Sequence, residues 1–189
     1  MSSQRLILLE PAPALPEGLQ YRADLISPAE EAALIKHIAV LPFRPFEFHG
    51  YLGNRRTVSF GFRYDYGDRA VHEAEPIPAF LLPLRDRAAD FAGLDPAQLE
   101  HALVTEYAPG AGIGWHRDRP VFADVIGVSL LAPCRFRLRR KDGNKWQRAA
   151  LDLAPRSVYL LRSAVRYEWQ HSIAAMAELR YSVTFRSRA

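Results

Sequence analysis

His116-Arg-Asp118, then His171, then Arg180-Tyr-Ser-Val-Thr-Phe-Arg186 form an ordered set of residues that could do chemistry. Two imidazoles and one carboxylate make a three-ligand set for a divalent metal. Such a set leaves half of an octahedron open, which suits non-haem Fe(II) oxygen chemistry. His116 and Asp118 are two apart, so on an extended segment their side chains leave the backbone on the same side. His171 must come from a distant strand. Arg180 and Arg186, at an even spacing, share one strand face with Ser182 and Thr184, while Tyr181, Val183 and Phe185 take the other. A face of guanidiniums and hydroxyls could line a cavity that holds an anionic co-substrate. Taken singly the parts are weak: His-x-Asp arises by chance in a chain with six His. The Arg180 stretch alone reads as an edge strand with one solvated face. Order and spacing together carry the signal.

The elements around these residues follow from local pattern. Ser27-Pro28-Ala29-Glu30 has the form of a capping box with Pro at the first helical position. It predicts a helix to about Val40, stopping before Pro42, with Leu34, Ile35 and Ile38 on its buried face. A second helix is expected over Ala79 to Ala92, where Phe80, Leu84, Ala88 and Phe91 recur at helical spacing. Between them Val58, Phe60, Phe62 and Tyr64 alternate with Thr57, Ser59, Gly61 and Arg63 as a strand, and Tyr51 to Asn54 reads as a turn. Residues 1–20, spaced by Pro11, Pro13 and Pro16, read as an extended lead-in. Strands are expected at 102–107, 125–131, 134–140, 146–153, 157–161, 167–173 and 179–186, with Lys141-Asp-Gly-Asn144 as a hairpin connection. Many short strands after an N-terminal α/β portion predict an α+β, mainly β fold built on a jelly-roll-like double sheet with flanking helices.

Length and composition bound the rest. A chain of 189 residues without repeat, low-complexity tract or linker suits one domain over 1–189. No apolar run approaches the roughly 20 residues that span a bilayer, and the apolar stretch near the start is too short for a signal-peptide core. Cys134 is the sole cysteine, which excludes an internal disulfide framework and fits a reducing compartment. A cytoplasmic monomer with no membrane association is the expectation. All but three of the 25 basic residues are Arg, the better bidentate partner for phosphate and carboxylate. Codon bias in a GC-rich genome, which also raises Ala and Pro, accounts for that composition equally well.

Together these residues resemble the AlkB branch of the 2-oxoglutarate- and Fe(II)-dependent dioxygenases: His-x-Asp, a distal His, then Arg separated by five residues from a second Arg. Thr105-Glu-Tyr107-Ala-Pro-Gly110 is similar to the family's Asn-x-Tyr-x-x-Gly segment. The likeness covers about residues 102–188 and extends more loosely back to about residue 19. It implies a double-stranded β-helix (jelly-roll) core over about 101–188. An N-terminal helical and substrate-lid portion would occupy about 1–100, its helices packed on one sheet. It further implies that His116, Asp118 and His171 hold Fe(II), and that 2-oxoglutarate and O2 are co-substrates. Arg180 would clamp the far carboxylate, Arg186 would neutralise the metal-bound end, and Tyr107 would donate a hydrogen bond. The implied reaction yields succinate and CO2 and hydroxylates a C–H bond; on an N-methyl group the product collapses to formaldehyde and amine. Two departures touch the co-substrate: the family's Asn before Tyr is Thr105, and the Asn after the first Arg is Ser182. Both can still hydrogen-bond. A third touches the substrate, because DNA-repair members carry an acidic residue two positions past the metal-binding Asp, where this chain has Pro120.

The outer surface separates the substrate readings. Arg135, Arg137 and Arg139 alternate with Cys134, Phe136 and Leu138 and are continued by Arg140 and Lys141. Asn54-Arg55-Arg56 heads the earlier strand, with Tyr51, Tyr64 and Tyr66 near it in sequence. Basic rows beside aromatics suit a phosphate track with a stacking platform; a solvated sheet face over core tyrosines is the plain alternative. The resemblance implies a single-stranded or flipped base in DNA or RNA as substrate. The same chemistry on a protein or small molecule, or a non-enzymatic jelly-roll binding module, are the other readings. Asp118→Ala should leave a two-ligand site and lose most Fe(II) affinity. Stoichiometric iron with full turnover in that variant would remove Asp118 from the metal set.

Overall fold

A computed structural model describes residues 15–48, 51–64 and 71–189. Its strands are β1 (Leu19–Arg22), β2 (Arg44–Phe48), β3 (Tyr51–Phe60), β4 (Phe62–Tyr64), β5 (Val71–Glu73), β6 (His101–Tyr107) and β7 (Ile113–His116). They continue as β8 (Phe122–Leu130), β9 (Cys134–Asp142), β10 (Lys145–Leu153), β11 (Val158–Leu161), β12 (Gln170–Ile173) and β13 (Arg180–Arg188). The helices are α1 (Pro28–Ile38), α2 (Leu82–Ala92) and the short α3 (Ser163–Tyr167). A seven-stranded antiparallel sheet runs β1-β11-β8-β13-β6-β3-β2, a four-stranded one runs β10-β9-β12-β7, and β4 pairs with β5. This is the expected jelly-roll, with α1 and α2 on the outer side of the large sheet.

Alternation along β13 explains the layering. Val183 and Phe185 join Val104, Ile126, Val128 and Leu160 in a core closed by Ile38 of α1 and Leu84 of α2. Each fully buried aliphatic or aromatic side chain there contributes roughly 1.5–3 kcal/mol. The other face of the same strands looks toward the small sheet and carries the polar residues. α1 begins as predicted: Ser27 Oγ accepts from the Glu30 N–H, and the Ser27 N–H donates to Glu30 Oε2 at 2.8 Å. Glu31 then ties the helix to the sheet by accepting from Leu131 N–H (2.9 Å) and Arg156 Nη1 (3.0 Å).

Three local expectations change. The helix expected from Ala79 starts as a 3-10 turn over Ala79–Leu81, and α2 begins at Leu82. Pro83 has no N–H for the Ala79 carbonyl, so a regular helix cannot run through that point. Tyr51 to Asn54 is not a turn but the start of β3, because β2, unforeseen in the sequence, supplies a ladder partner (Phe48↔Tyr51, Glu47↔Leu52). The strand expected over 167–173 is split into α3 and β12, with Ser163 at φ 54 entering the turn. The hairpin closes as predicted, with Asp142 paired to Lys145 around Gly143-Asn144. Residues 1–14 of the expected lead-in lie outside the described residues, and Leu19 onward is already strand.

Gly61 links β3 to β4 at φ 82, with its N–H donating to Glu75 O (2.7 Å), and a Cβ there would run into the Glu100 carbonyl. Gly61→Ala should therefore cost about 1–3 kcal/mol, lowering Tm by roughly 2–12 °C for a chain this size. Calorimetry showing a parental Tm would mean the turn can relax.

Candidate active site

Register across the large sheet assembles the polar floor. Ser182 lies opposite Ser129 and Thr105, Thr184 opposite Gly127 and Leu103, Arg186 opposite Val125 and His101, and Arg180 opposite Tyr107. Arg180 is only 1% exposed. Its Nε donates to Ser129 Oγ at 3.1 Å, and its guanidinium carbon lies 5.1 Å from the Tyr107 ring centroid. Its Nη1 is buried and has no hydrogen-bond partner among the described residues. An orphaned charged donor costs more than a kcal/mol or so of desolvation, and an anion's carboxylate is the group that would satisfy it.

The small sheet faces this floor with the histidines. His171 of β12 and His116 of β7 are register partners, their ring centroids 4.2 Å apart. The ligand atoms of His116, Asp118 and His171 all lie within 4.8 Å of one another. His116 Nδ1 is 2.9 Å from Gly114 O; as the N–H donor there, it leaves Nε2 for a metal. Asp118 departs from the sequence reading: β7 ends at His116, so the carboxylate stands on the following loop rather than on the strand. Arg186 holds it there, donating to Oδ1 from Nε (3.0 Å) and Nη2 (2.7 Å), while Oδ2 is 3.5 Å from His171 Nε2. Burial opposes the Asp118 charge, but Arg186, then His171 and His116, hold the carboxyl well below its usual range. Burial, and then the neighbouring His116, push His171 down to about 3. Burial also lowers His116. Both imidazoles are thus neutral at neutral pH, the form that binds metal.

Three further residues support this site and went unnoticed in the sequence. Arg166 of α3, only 3% exposed, donates to four carbonyls of the loop that carries Asp118 and of the start of β8. These are Asp118 O (3.2 Å), Arg119 O (2.7 Å), Phe122 O (2.6 Å) and Ala123 O (2.9 Å). Its one sequence signal is a charge beside the apolar Val165, five positions before His171. His101 packs against the rings of Phe62 and Phe122, with its Nδ1 3.3 Å from Arg186 Nη1. Burial lowers its pKa well below the ordinary value, so it meets Arg186 as a neutral acceptor. Tyr159 of β11 packs against Phe136 with ring centroids 4.9 Å apart, and Phe136 lies 5.1 Å from His171. Burial raises the Tyr159 pKa and keeps the phenol protonated, within reach of the Arg180 and Asp118 charges.

The expected substrate contacts are less free than the sequence suggested. Arg135, Arg137 and Arg139 do share a face, but it is the side of the small sheet away from His171, whose register partner is Leu138. Arg135 pairs with Asp152 at 3.0 Å. Arg137 stacks on Trp115 at 5.3 Å, and Arg139 lies between Trp115 (4.4 Å) and Trp146 (4.3 Å) while donating to Gln170 (2.8 Å). Arg55 stacks on Phe46 at 3.8 Å, and Arg56 makes a two-pronged pair with Glu106 (2.7 and 2.9 Å). Tyr64 falls in β4, and Tyr66 lies outside the described residues.

A double sheet with a His/Asp/His cluster over two buried arginines defines a class, and a family model agrees. The model described as the 2OG-Fe(II) oxygenase superfamily matches residues 18–186. The chain belongs to that superfamily, and it is AlkB-like. It is 29% identical over 180 residues to the Arabidopsis thaliana "Alkylated DNA repair protein ALKBH8 homolog", covering 82% of this chain and 50% of that protein. It is 31% identical over 140 residues to the "Alpha-ketoglutarate-dependent dioxygenase AlkB" of Salmonella typhimurium, covering 67% of this chain and 64% of that protein. The chain thus spans about half to two thirds of the length of these relatives. The solved structure of OsALKBH1 shares the fold with a TM-score of 0.73 at 16% identity, over 94% of this chain and 100% of that one. The family implies Fe(II), 2-oxoglutarate and O2, and the residues fit: three neutral-or-anionic ligands for the metal, and an unpartnered buried guanidinium nitrogen for the co-substrate.

Gly127 is opposite Tyr159, and a Cβ there would overlap the phenol. Gly127→Ala should displace Tyr159 and raise the 2-oxoglutarate Kd about 5- to 150-fold, if overpacking of about 1–3 kcal/mol falls on the bound state. A parental Kd by calorimetry would place Tyr159 outside the co-substrate floor.

Proposed function

We propose that this protein is an Fe(II)- and 2-oxoglutarate-dependent dioxygenase that oxidises alkylated bases in DNA or RNA. The carrying observation is that the unpartnered Nη1 of buried Arg180 lies on the same face of β13 as Arg186, which grips the Asp118 of the three-ligand cluster. His116 Nε2, Asp118 Oδ2 and His171 Nε2 are the atoms offered to Fe(II). Arg180 receives the far carboxylate of 2-oxoglutarate, beside the Tyr107 hydroxyl and the Ser182 and Thr105 hydroxyls of the same floor. Arg186 keeps Asp118 ionised and turned toward the imidazoles, and the apolar packing around Phe136 and Tyr159 excludes water. Bound there, iron, 2-oxoglutarate and O2 supply oxidative decarboxylation to succinate and CO2, coupled to hydroxylation of a C–H bond. On an N-methylated base the hydroxymethyl product releases formaldehyde.

The nucleic-acid assignment is supported by the Arabidopsis relative, whose name includes alkylated DNA repair, and by the arginine-rich surface. Engagement of Arg56 by Glu106 and of Arg135 by Asp152 favours a second reading, the same chemistry on a protein side chain or small molecule. An assay for formaldehyde and succinate against methylated DNA, RNA and peptides decides between them. Equimolar products from a methylated oligonucleotide are expected. In Arg180→Lys the apparent 2-oxoglutarate constant should rise roughly 10- to 150-fold, the loss of one charge-assisted bond of about 1.5–3 kcal/mol. Turnover confined to peptides would select the second reading, and an unchanged constant would move the carboxylate away from Arg180.

A further inference from the structure

We propose that the cleft where the β9–β10 hairpin meets α3 binds the sugar-phosphate backbone and one base of a single-stranded nucleic acid. It would anchor the strand beside the nucleotide being oxidised. The inference rests on the nucleic-acid reading above and narrows the arginine row expected from the sequence to its hairpin end. The cleft has a volume of about 480 Å³, and four cations line it: Arg117, Arg139, Arg140 and Lys141. Its one carboxylate, Glu168, is already engaged by Arg140 at 2.6 Å. The cleft therefore carries an excess of positive charge.

Two aromatic walls complete it. Trp146, 41% exposed, and Tyr167, 50% exposed, are among the large apolar side chains of the described residues that stand open to solvent. Neither lies in the apolar cores. Planar faces beside cations suit a polyanion that carries flat rings; an acidic peptide would use the charges and leave the rings idle. The cations are also pre-ordered. Arg139 is bracketed by Trp115 and Trp146 and fixed through Nε to Gln170, which leaves its terminal nitrogens to donate in the plane. Arg117 is braced through Nη1 to Tyr167 O at 2.9 Å.

Connectivity ties the cleft to the metal cluster. Arg117 stands between His116 and Asp118, and Gln170 immediately precedes His171. Arg139 and Gln170 face the side of the small sheet opposite His171, so a strand held here would pass round the end of that sheet to reach the metal cluster. On this view Arg139 belongs to the end of the arginine row that meets nucleic acid, whereas Arg135, paired with Asp152, does not.

The test titrates fluorescein-labelled single-stranded oligonucleotides against the full chain loaded with Fe(II) and 2-oxoglutarate without oxygen, at several salt concentrations. Anisotropy gives Kd for the parent, Tyr167→Ala, Trp146→Ala and Lys141→Glu, and matching melting curves guard against misfolding. Loss of a stacking face should weaken binding about 5- to 150-fold, and loss of one phosphate contact should flatten the log–log salt slope by about 0.7. If the parent binds and oxidises oligonucleotides and all three variants equal it in Kd and slope, the cleft assignment alone is overturned. If the parent neither binds nor oxidises any oligonucleotide, the nucleic-acid reading fails and the cleft with it. Tighter binding of poly-glutamate than of oligonucleotide, lost in the same variants, would make the cleft a protein-docking site and also overturn the proposal.

Discussion

Asp118 is buried beside two imidazoles and still ionised, and the two-nitrogen grip of Arg186 on its Oδ1 makes that state tenable. A carboxylate removed from water without a cation would protonate instead. With Arg186 in place, Oδ2 stays anionic and turned toward His171. Much of the structure serves this pair. β13 sits between β6 and β8 in the large sheet, so the backbone carrying Arg186 is hydrogen-bonded on both sides. His101 accepts from the same guanidinium, and Arg166 clasps the loop carbonyls behind Asp118.

The same strand solves a second problem, that of keeping charged side chains inside a small protein. Val183 and Phe185 bury against α1 and α2, while Arg180, Ser182, Thr184 and Arg186 line the opposite face. Burial on one side stabilises a strand whose other side bears two buried guanidiniums. The remaining cost is concentrated at Arg180 Nη1, which is unpartnered. A ligand's carboxylate would satisfy that nitrogen, which is why the proposed co-substrate site is centred on it.

Charge on the outside follows a different logic. The arginines of β9 are not a bare cationic row. Indole faces and carboxylates hold them, so only positions near the hairpin end combine free donor groups with open aromatic surface. Stacked guanidiniums keep their charge and lose side-chain freedom, which lowers the entropic cost of meeting a polyanion.

Local patterns already specified a good deal: the His-x-Asp pair, the six-residue spacing of Arg180 and Arg186, the α1 capping box and the β9–β10 hairpin were all legible. Each depends on residues a few positions apart, and the period of a strand or the geometry of a cap acts over that range. The resemblance located His171 and implied the cofactors. What the sequence could not display were partnerships set by register between distant strands. Tyr159 faces Gly127, Arg56 meets Glu106, and two tryptophans enclose Arg139. Arg166 was invisible for a further reason, because its acceptors are backbone carbonyls, which every residue possesses. Even Asp118 owes its position to tertiary structure: the strand that was to carry it ends two residues earlier, its carboxylate is held by Arg186 of β13, and its backbone by Arg166 of α3.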